Sequence, residues 1–215
     1  DLDRRSGGVV ILQPYQTRSH AGWYRGTADA IAQNWDWVEE HRPERVLVLS
    51  GDHVVRMDYR RLIAAHTQRD AAVTVAVTRV PAHEAQRFGM VHMDGSGRIH
   101  SIEEKPQRTD AALANMGIYL FETAYLAEML RGRPVDMVLD VLRPQVAAGQ
   151  AVYAYEFEGY WEDVGTVASY YRANLELVRP QPRLALHDAR WPILTRDEER
   201  PPVWLGDDAQ VADSL

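Results

Sequence analysis

Short apolar runs alternate along the chain with segments in which apolar residues recur at helical spacing. The run Val46–Ser50 is the clearest, and it stops abruptly at Gly51-Asp52-His53. A run this short and this apolar predicts a central parallel strand within Arg45–Val54 that is covered on both faces. Further strands are predicted at Val9–Gln13, Ala71–Val80, Asn115–Phe121 and Ala151–Glu158.

Helical spacing of apolar residues fills the intervals between these strands. After Gly26 the pattern predicts a helix with Thr27 as its N-cap and an end near His41. In the helix that Asp58 is expected to cap, His66 is interpreted as a tolerated residue of the helix face rather than a ligand. Further helices are predicted at Thr123–Leu130, at Asp136–Ala148 and after Thr166. The alternation of strands and helices predicts a parallel α/β sheet.

One stretch departs from this alternation. Phe88–Asp94 and Arg98–Glu103 alternate between apolar and polar residues, and Gly95-Ser96-Gly97 separates them. This pattern predicts a β-hairpin carried by the α/β core. Pro106 stops the second strand of the hairpin and holds the preceding Glu104-Lys105 pair near its end.

Composition narrows the function classes. The chain has 215 residues, 46% hydrophobic and 26% charged, as in ordinary globular proteins. A net charge of −7 argues against a broad nucleic-acid-binding face. The absence of cysteine excludes disulfides and thiolate metal sites and fits a reducing cytosol. No run approaches the length of a membrane span, and DLDRRSGG is not a signal peptide, so a cytoplasmic protein without a membrane partner is expected.

Two aspartates are candidate metal ligands. Asp52 follows the predicted central strand, and ligands of α/β sheets sit beyond the carboxyl ends of such strands. Asp163 lies at a second junction between a strand and a helix. Carboxylates placed in this way could converge on one hard cation such as Mg²⁺. Taken alone, Asp52 is equally consistent with a turn residue that caps a helix.

Two further motifs could contact a phosphorylated ligand. A Gly26-Thr27 turn that opens a helix presents backbone N–H groups suited to phosphate or a nucleotide base, although most such turns are only caps. Lys105 could neutralise a phosphate, and Glu104 could accept hydrogen bonds from sugar hydroxyls. An exposed Glu-Lys pair is, however, usually solvated surface.

In their order and spacing, these motifs resemble ADP-glucose pyrophosphorylase (glucose-1-phosphate adenylyltransferase). The matching segments are WYRGTADA, LVLSGDHV, the FG before the hairpin, EEKP, NMGIYLF and GYWEDVGTVASYY. The resemblance spans roughly residues 9–178 and extends into Leu186–Pro202, where the family's catalytic domain passes into a left-handed parallel β-helix.

The resemblance implies a fold and a domain division. The fold is an α/β nucleotidyltransferase domain with a mostly parallel, Rossmann-like sheet, flanking helices and the hairpin as an insertion. Residues 1–178 are expected to form the catalytic domain without its N-terminal phosphate-binding loop. From Val178 the sequence is proline-rich, and residues 179–215 are expected to be a linker and the beginning of a truncated β-helix domain.

The resemblance also implies a reaction, in which AMP passes from ATP to α-D-glucose 1-phosphate and gives ADP-glucose and pyrophosphate for glycogen biosynthesis. Such in-line transfer needs positioning and charge neutralisation more than proton transfer. Asp52 and Asp163 would hold Mg²⁺, and with Lys105 they form the implied catalytic set. The implied substrate contacts are Tyr24, Gly89, Glu104, Lys105 and Asn115, and the implied nucleotide contacts are Gly26, Thr27 and Gly51. Family members are commonly homotetramers under allosteric control.

Three departures from the family pattern keep alternatives open. Residues 1–22 supply no Gly-rich, Arg-containing loop for the ATP triphosphate. Asn115 stands where the family has serine, and Val138-Leu139 replaces a pair that is usually small or basic. The alternatives are a non-catalytic regulatory or sugar-phosphate-binding homologue, and a nucleotidyltransferase that uses another base or sugar.

Overall fold

The computed structural model describes residues 8–14, 23–186, 188, 190–193 and 209–210. The chain divides into two units, of which the first is Asp1–Leu49 with Tyr59–Phe157 and the second is Ser50–Asp58 with Glu158–Leu215. The expected domain division at residue 178 is not tested by this grouping and stays a prediction. Residues 1–22, which are expected to lack the triphosphate loop, and the expected start of a β-helix lie largely outside the described ranges. No helix among the described residues is long and apolar enough to cross a membrane.

Strands and helices together form a mixed α/β architecture. The strands are β1 (Arg45–Leu49), β2 (His53–Val55), β3 (Val73–Arg79), β4 (Gly89–Met93), β5 (Ile99–Glu104), β6 (Leu113–Glu122), β7 (Val152–Glu156) and β8 (Trp161–Asp163). The α-helices are α1 (Thr27–Gln33), α2 (Trp35–His41), α3 (Tyr59–Gln68), α4 (Thr123–Leu130), α5 (Arg143–Ala147) and α6 (Val167–Leu177). A 3-10 helix (Ala82–Arg87) and a π-helix (Met137–Leu142) complete the described elements.

The first unit is built on a six-stranded sheet whose centre is β6. Strand β3 pairs along one edge of β6, while β4 and β1 pair with different parts of the strand. Among the described strand pairs only β3 with β7 is parallel. The prediction of a mostly parallel sheet is therefore wrong, because β6 runs antiparallel to both β1 and β3 and brings them into one sheet.

The position of β1 also differs from the prediction. The sequence predicts a central parallel strand covered on both faces, but β1 pairs antiparallel with β6 and with no other described strand. Its side chains are half-buried, and Leu49 is 46% exposed. Apolar periodicity identifies a strand correctly, whereas the neighbour of that strand depends on distant segments of the chain.

Strand β6 changes neighbours at a bulge. Its residues Leu113 and Ala114 pair with β4, and its last five residues pair with β1. The register between β6 and β3 shifts between Val75 and Val77 of β3. Gly117 takes a left-handed φ of 67°, and its N–H donates to the side-chain oxygen of Asn115 at 2.9 Å. Bulges re-aim side chains within a sheet, and this one lies next to Asn115.

The predicted hairpin is confirmed as β4 and β5, which pair from Gly89 with Glu104 to Met93 with Ile99, with one register shift between His92 and Met93. The carboxylate of Asp94 accepts hydrogen bonds from the N–H groups of Ser96 and Arg98 and so closes the turn. The hairpin is part of the main sheet, because β4 also pairs with β6.

The prediction of a buried strand at Val9–Gln13 is wrong. Residues 8–14 contain no strand, and Val9 and Ile11 are 64% and 80% exposed. The Tyr24 hydroxyl donates a hydrogen bond to the carbonyl of Leu12 in this segment at 3.0 Å. The composition of the segment favours a strand, but no described strand lies beside it to complete the pairing.

The predicted helix from Thr27 to His41 is present as two helices of seven residues each, α1 and α2, which meet at Asn34. Thr27 is not the N-cap, since α1 begins at Thr27 and Gly26 occupies the cap position. The Thr27 hydroxyl instead accepts a hydrogen bond from the N–H of Met137 at 3.2 Å.

The apolar core lies on the sheet of the first unit. Phe121, Val73 and Val75 are fully buried, with α4 and the π-helix packed among them. On α3, His66 is buried on the same side of the helix as Leu62. Its Nδ1 lies 2.8 Å from the Thr74 hydroxyl and its Nε2 lies 3.1 Å from Glu122, so His66 contributes to the core.

A buried carboxylate stabilises the first turn of α1. Asp29 is 3% exposed and accepts hydrogen bonds from the backbone of Arg25 at 2.9 Å, the Arg25 guanidinium at 3.0 Å and the side chain of Gln33 at 2.8 Å. The Arg25 guanidinium is the main reason that the pKa of Asp29 falls to about 2. Asp29 is therefore ionised across the physiological pH range.

We expect Asp29→Asn to lower the free energy of unfolding at pH 7 by about 2 kcal/mol. The folded pKa lies below the unfolded value, so this contribution is present above about pH 4 and is lost as the pH falls towards 2. Urea unfolding of wild type and variant at both ends of this range measures it. The exposed Asp36→Asn on α2 serves as the control, and a loss that is the same at both pH values would contradict the expectation.

In the second unit β2 and β8 form an antiparallel ribbon, and α6 follows β8. The predicted Thr166 cap is confirmed, because its hydroxyl accepts from the N–H of Ser169 and the Ser169 hydroxyl accepts from the N–H of Thr166. The helix buries Ser169, Ala173 and Glu176. Its larger apolar side chains, Val167, Tyr170, Tyr171 and Leu175, are exposed.

Arg56 attaches the segment after α6 to the ribbon. Its guanidinium donates to the carbonyls of Ala185 at 2.9 Å and Trp191 at 2.6 Å, and it pairs with Asp188 at 3.3 Å. The same guanidinium lies 4.6 Å from the centre of the Trp191 ring, in a cation–π contact. Arg56 follows β2 directly, so its side chain links the ribbon to the segment after α6.

Candidate functional site

The ribbon of β2 and β8 brings together two distant acidic residues and a histidine. Asp52, His53 and Asp163 each offer a ligand atom, and these atoms all lie within 4.8 Å of one another. His53 stands directly opposite Asp163 in the ribbon, while Asp52 ends the turn before β2. The predicted convergence of Asp52 and Asp163 is therefore present in the structure.

Short local contacts fix both carboxylates. The Ser50 hydroxyl donates to Asp52 Oδ1 at 2.6 Å and is the main reason that the pKa of Asp52 is lowered. The N–H of Gly165 donates to Asp163 Oδ1 at 3.0 Å. The N–H of Val164 donates to the carbonyl of Asp52 at 3.2 Å, which ties the two loops together. These contacts favour the ionised form of Asp52 and give both carboxylates a defined orientation.

The donor set suits a divalent cation. Two carboxylates and an imidazole are common ligands of such ions. The Nδ1 atom of His53 is buried without a hydrogen-bond partner in the structure, so the ring keeps binding capacity that the fold does not use. Asp52, His53 and Asp163 are thus a candidate divalent-metal site.

In the first unit three predicted substrate contacts lie together. Gly89 is paired with Glu104 across the hairpin. A Cβ atom on Gly89 would lie 3.0 Å from Glu104 Oε2 and 3.7 Å from Asn115 Cβ, so Gly89 leaves room between these two side chains. The hairpin and the bulge of β6 together place Gly89, Glu104 and Asn115 in one polar cluster.

Lys105 extends this cluster towards solvent. Its backbone adopts a left-handed φ of 45°, and its N–H donates to the carbonyl of Phe88 at 3.1 Å. The Lys105 ammonium lies 3.7 Å from Glu104 Oε1, and its side chain is 64% exposed. Lys105 is also the only lysine in the sequence, beside 23 arginines. Every other Lys or Arg position in the sequence is arginine, so the compact charge of a lysine side chain occurs only at this cluster.

Asn115 is largely held by the protein itself. Its amide nitrogen donates to the Tyr119 hydroxyl at 2.9 Å, and its oxygen accepts from the N–H of Gly117. Asn115 is 8% exposed, and burial raises the pKa of Tyr119. Tyr119 lies in the segment NMGIYLF, but no local pattern marks it as part of the site, because its contact with Asn115 depends on the bulge in the sheet.

The turn that opens α1 differs from the prediction. The sequence predicts free N–H groups after Gly26-Thr27, but those of Ala28 and Asp29 point to the carbonyl of Val135 at 3.0 and 3.4 Å. That carbonyl therefore occupies the start of the helix. The nucleotide contacts assigned to Gly26 and Thr27 stay predictions.

Two other expected contacts lie in less constrained places. The Tyr24 hydroxyl accepts from the side chain of Asn34 at 2.8 Å while it donates to Leu12. A Cβ atom on Gly51 would meet no atom within 4 Å, so its surroundings leave space. The roles of Tyr24 with the sugar phosphate and of Gly51 with the nucleotide also stay predictions.

The unusual pair Val138-Leu139 lies in the π-helix. The Asp136 carboxylate accepts hydrogen bonds from the N–H groups of both residues at 2.8 Å and caps this helix. Val138 packs against the core, whereas Leu139 is 44% exposed. The two positions therefore differ in environment despite their shared apolar character.

Comparison with known proteins connects these geometries to a family. The nucleotidyl transferase family matches residues 3–179. Proteins named glucose-1-phosphate adenylyltransferase match the whole chain at 44% identity in Thermosipho melanesiensis, 48% in Thermomicrobium roseum and 41% in Clostridium perfringens. The chain covers 53%, 52% and 56% of these relatives, so it spans about half of their length. With the family match over most of its length, the chain belongs to the nucleotidyl transferase family.

Proposed function

We propose that the protein is a glucose-1-phosphate adenylyltransferase, which converts ATP and α-D-glucose 1-phosphate into ADP-glucose and pyrophosphate for glycogen biosynthesis. The observation that carries the proposal is the approach of Asp52 and Asp163 within one ligand group. It occurs in a chain whose curated relatives at 41–48% identity bear this name. If Asp52 were only a turn residue and Asp163 only a helix cap, nothing would require their carboxylates to lie this close together.

We assign the two carboxylates to Mg²⁺. When bound, the ion neutralises charge on the nucleotide's phosphates and stabilises the transferring group. Asp52 and Asp163 are held by Ser50 and Gly165, so their oxygens keep their positions before the substrates bind. This preorganisation is the protein's main contribution in a reaction that depends on positioning.

We assign the cluster at the hairpin to glucose 1-phosphate. The Lys105 ammonium would neutralise the phosphate, whose oxygen attacks the α-phosphorus of ATP as pyrophosphate leaves. Glu104 would accept hydrogen bonds from sugar hydroxyls in the space that Gly89 leaves open. Asn115 retains one amide N–H beyond its bond to Tyr119, and this group is available to the sugar.

The direct test is formation of ADP-glucose by the purified protein from ATP, Mg²⁺ and glucose 1-phosphate. We expect Lys105→Gln to raise the KM for glucose 1-phosphate by about 10- to 100-fold, as loss of a charge-assisted phosphate contact does. The KM for ATP should change little. Arg108→Gln, which removes an exposed cation from the same loop, is the control.

The single lysine provides a second measurement without mutation. Acetylation of the Lys105 amine, followed by mass spectrometry, should slow when glucose 1-phosphate is present and proceed normally with glucose alone. An unchanged KM in Lys105→Gln, together with acetylation that glucose 1-phosphate does not slow, would remove Lys105 from the site. Absence of ADP-glucose formation by the wild type would refute the proposed activity.

A further inference from the structure

His53 stands in the metal group through the register of the ribbon. Residues directly opposite each other in an antiparallel pair project their side chains from the same face. His53 is opposite Asp163, and the preceding residue, Asp52, supplies the second carboxylate. One ring nitrogen of His53 therefore shares the 4.8 Å group with an oxygen from each aspartate.

The ring of His53 is held in place by apolar packing. It lies edge-on to Trp161, with ring centres 5.3 Å apart and planes at 84°. Its side chain is 12% exposed, and its Nε2 lies 3.5 Å from Asp52 Oδ1. Its Nδ1 is buried and has no hydrogen-bond partner in the structure. The imidazole is thus packed against Trp161 and keeps a ring nitrogen that no hydrogen bond within the protein occupies.

A nitrogen donor changes which ions the site prefers. Mg²⁺ favours an octahedron of oxygen ligands and retains several waters, whereas imidazole suits later divalent metals such as Co²⁺. A site with two carboxylates alone would lack this preference. The nitrogen donor of His53 therefore affects which metal ion the site prefers, while the two aspartates supply its negative charge.

We propose that His53 is a third ligand of the ion held by Asp52 and Asp163, and that its nitrogen makes the site prefer Co²⁺ over Mg²⁺. This inference rests on the proposed metal role of the two aspartates. It assigns to His53 a contact with the ion and no proton transfer.

Metal binding to the purified protein tests the inference without an activity assay. Pulsed electron paramagnetic resonance of bound Mn²⁺ should show coupling to ¹⁴N in wild type, and His53→Gln should abolish it. Calorimetric titration of the same variant should show Co²⁺ affinity lowered by about 10- to 100-fold, the range of changes around metal ligands. Mg²⁺ affinity should change less than threefold. The exposed His83→Gln is the matched control and should behave as wild type.

The outcomes separate this inference from the proposed function. Mn²⁺ that binds wild type without ¹⁴N coupling, and is lost in Asp163→Asn, would overturn the role of His53 and leave the aspartate pair intact. Equal losses of Co²⁺ and Mg²⁺ affinity in His53→Gln would overturn the selectivity. Failure of wild type to bind either ion would overturn both proposals together.

Discussion

Replacement of Asp163 by asparagine is expected to lower kcat for ADP-glucose formation by about 100- to 1,000-fold, the range found when one electrostatic stabiliser is removed from an active site. We expect this loss because Asp163 is one of the two carboxylates that, with His53, form the candidate metal group among the described residues. With one charge removed, the remaining donors hold a divalent ion more weakly and neutralise less phosphate charge. The effect should appear in kcat at saturating Mg²⁺ and in the concentration of Mg²⁺ needed for half-maximal rate.

The chain offers a closely matched control for this variant. Glu162 precedes Asp163 in β8, and its side chain projects from the other face of the ribbon, where it accepts from Arg172 at 3.0 Å. Glu162→Gln makes the same change of charge one residue away, and its rate should stay within about threefold of wild type, because Glu162 is not part of the candidate metal group. Equal losses in the two variants would show that charge near the ribbon matters in general and that Asp163 has no special role.

Replacement of Gly26 by alanine is expected to destabilise the first unit by about 3 kcal/mol, near the upper range for overpacking. An added Cβ would lie 2.4 Å from the carbonyl oxygen of Val135, which is backbone and has no rotamer to adopt. The start of α1 would have to move away, so that the N–H of Ala28 would lose its bond to that carbonyl. Gly26 itself is extended, so the cause is close approach and not backbone strain.

Thermal unfolding measures this effect. For a chain of this size the midpoint should fall by about 6–12 °C. Gly132→Ala in the same unit is the control, because its added Cβ would meet no atom within 4 Å. That control should be neutral or slightly stabilising, by up to about 1 kcal/mol. A midpoint for Gly26→Ala that matches the control would mean that α1 is free to shift without loss.

Local patterns were sufficient where the determining contacts are close in sequence. The hairpin follows from alternation around Gly95-Ser96-Gly97, and the cap of α6 from the position of Thr166. The same reasoning fails at Val9–Gln13, where strand composition is present but no described strand lies alongside. It fails again for β1, because no local pattern shows that β6 is its antiparallel neighbour.

In the candidate site, too, local sequence patterns predict some features and long-range contacts determine others. Asp52 and Asp163 were found from their places beside strands and from the family motifs, and the register of β2 with β8 explains why they meet. His53 lies in the same quoted motif, yet its unpartnered nitrogen depends on burial against Trp161 and becomes evident only from the fold. The carbonyl of Val135 at the start of α1 is likewise a long-range contact that no spacing rule contains.

The contacts of the Arg56 guanidinium affect local unfolding of the second unit. Strand β2 has three residues, with His53 at its beginning and Arg56 just beyond its end. Ala185, Asp188 and Trp191 contact that guanidinium, so we expect them to open together with the short strand as one cooperative unit. Amide hydrogens of β2 and of Ala185, Asp188 and Trp191 should exchange with solvent together, and loss of the Arg56 contacts would loosen the strand that carries His53.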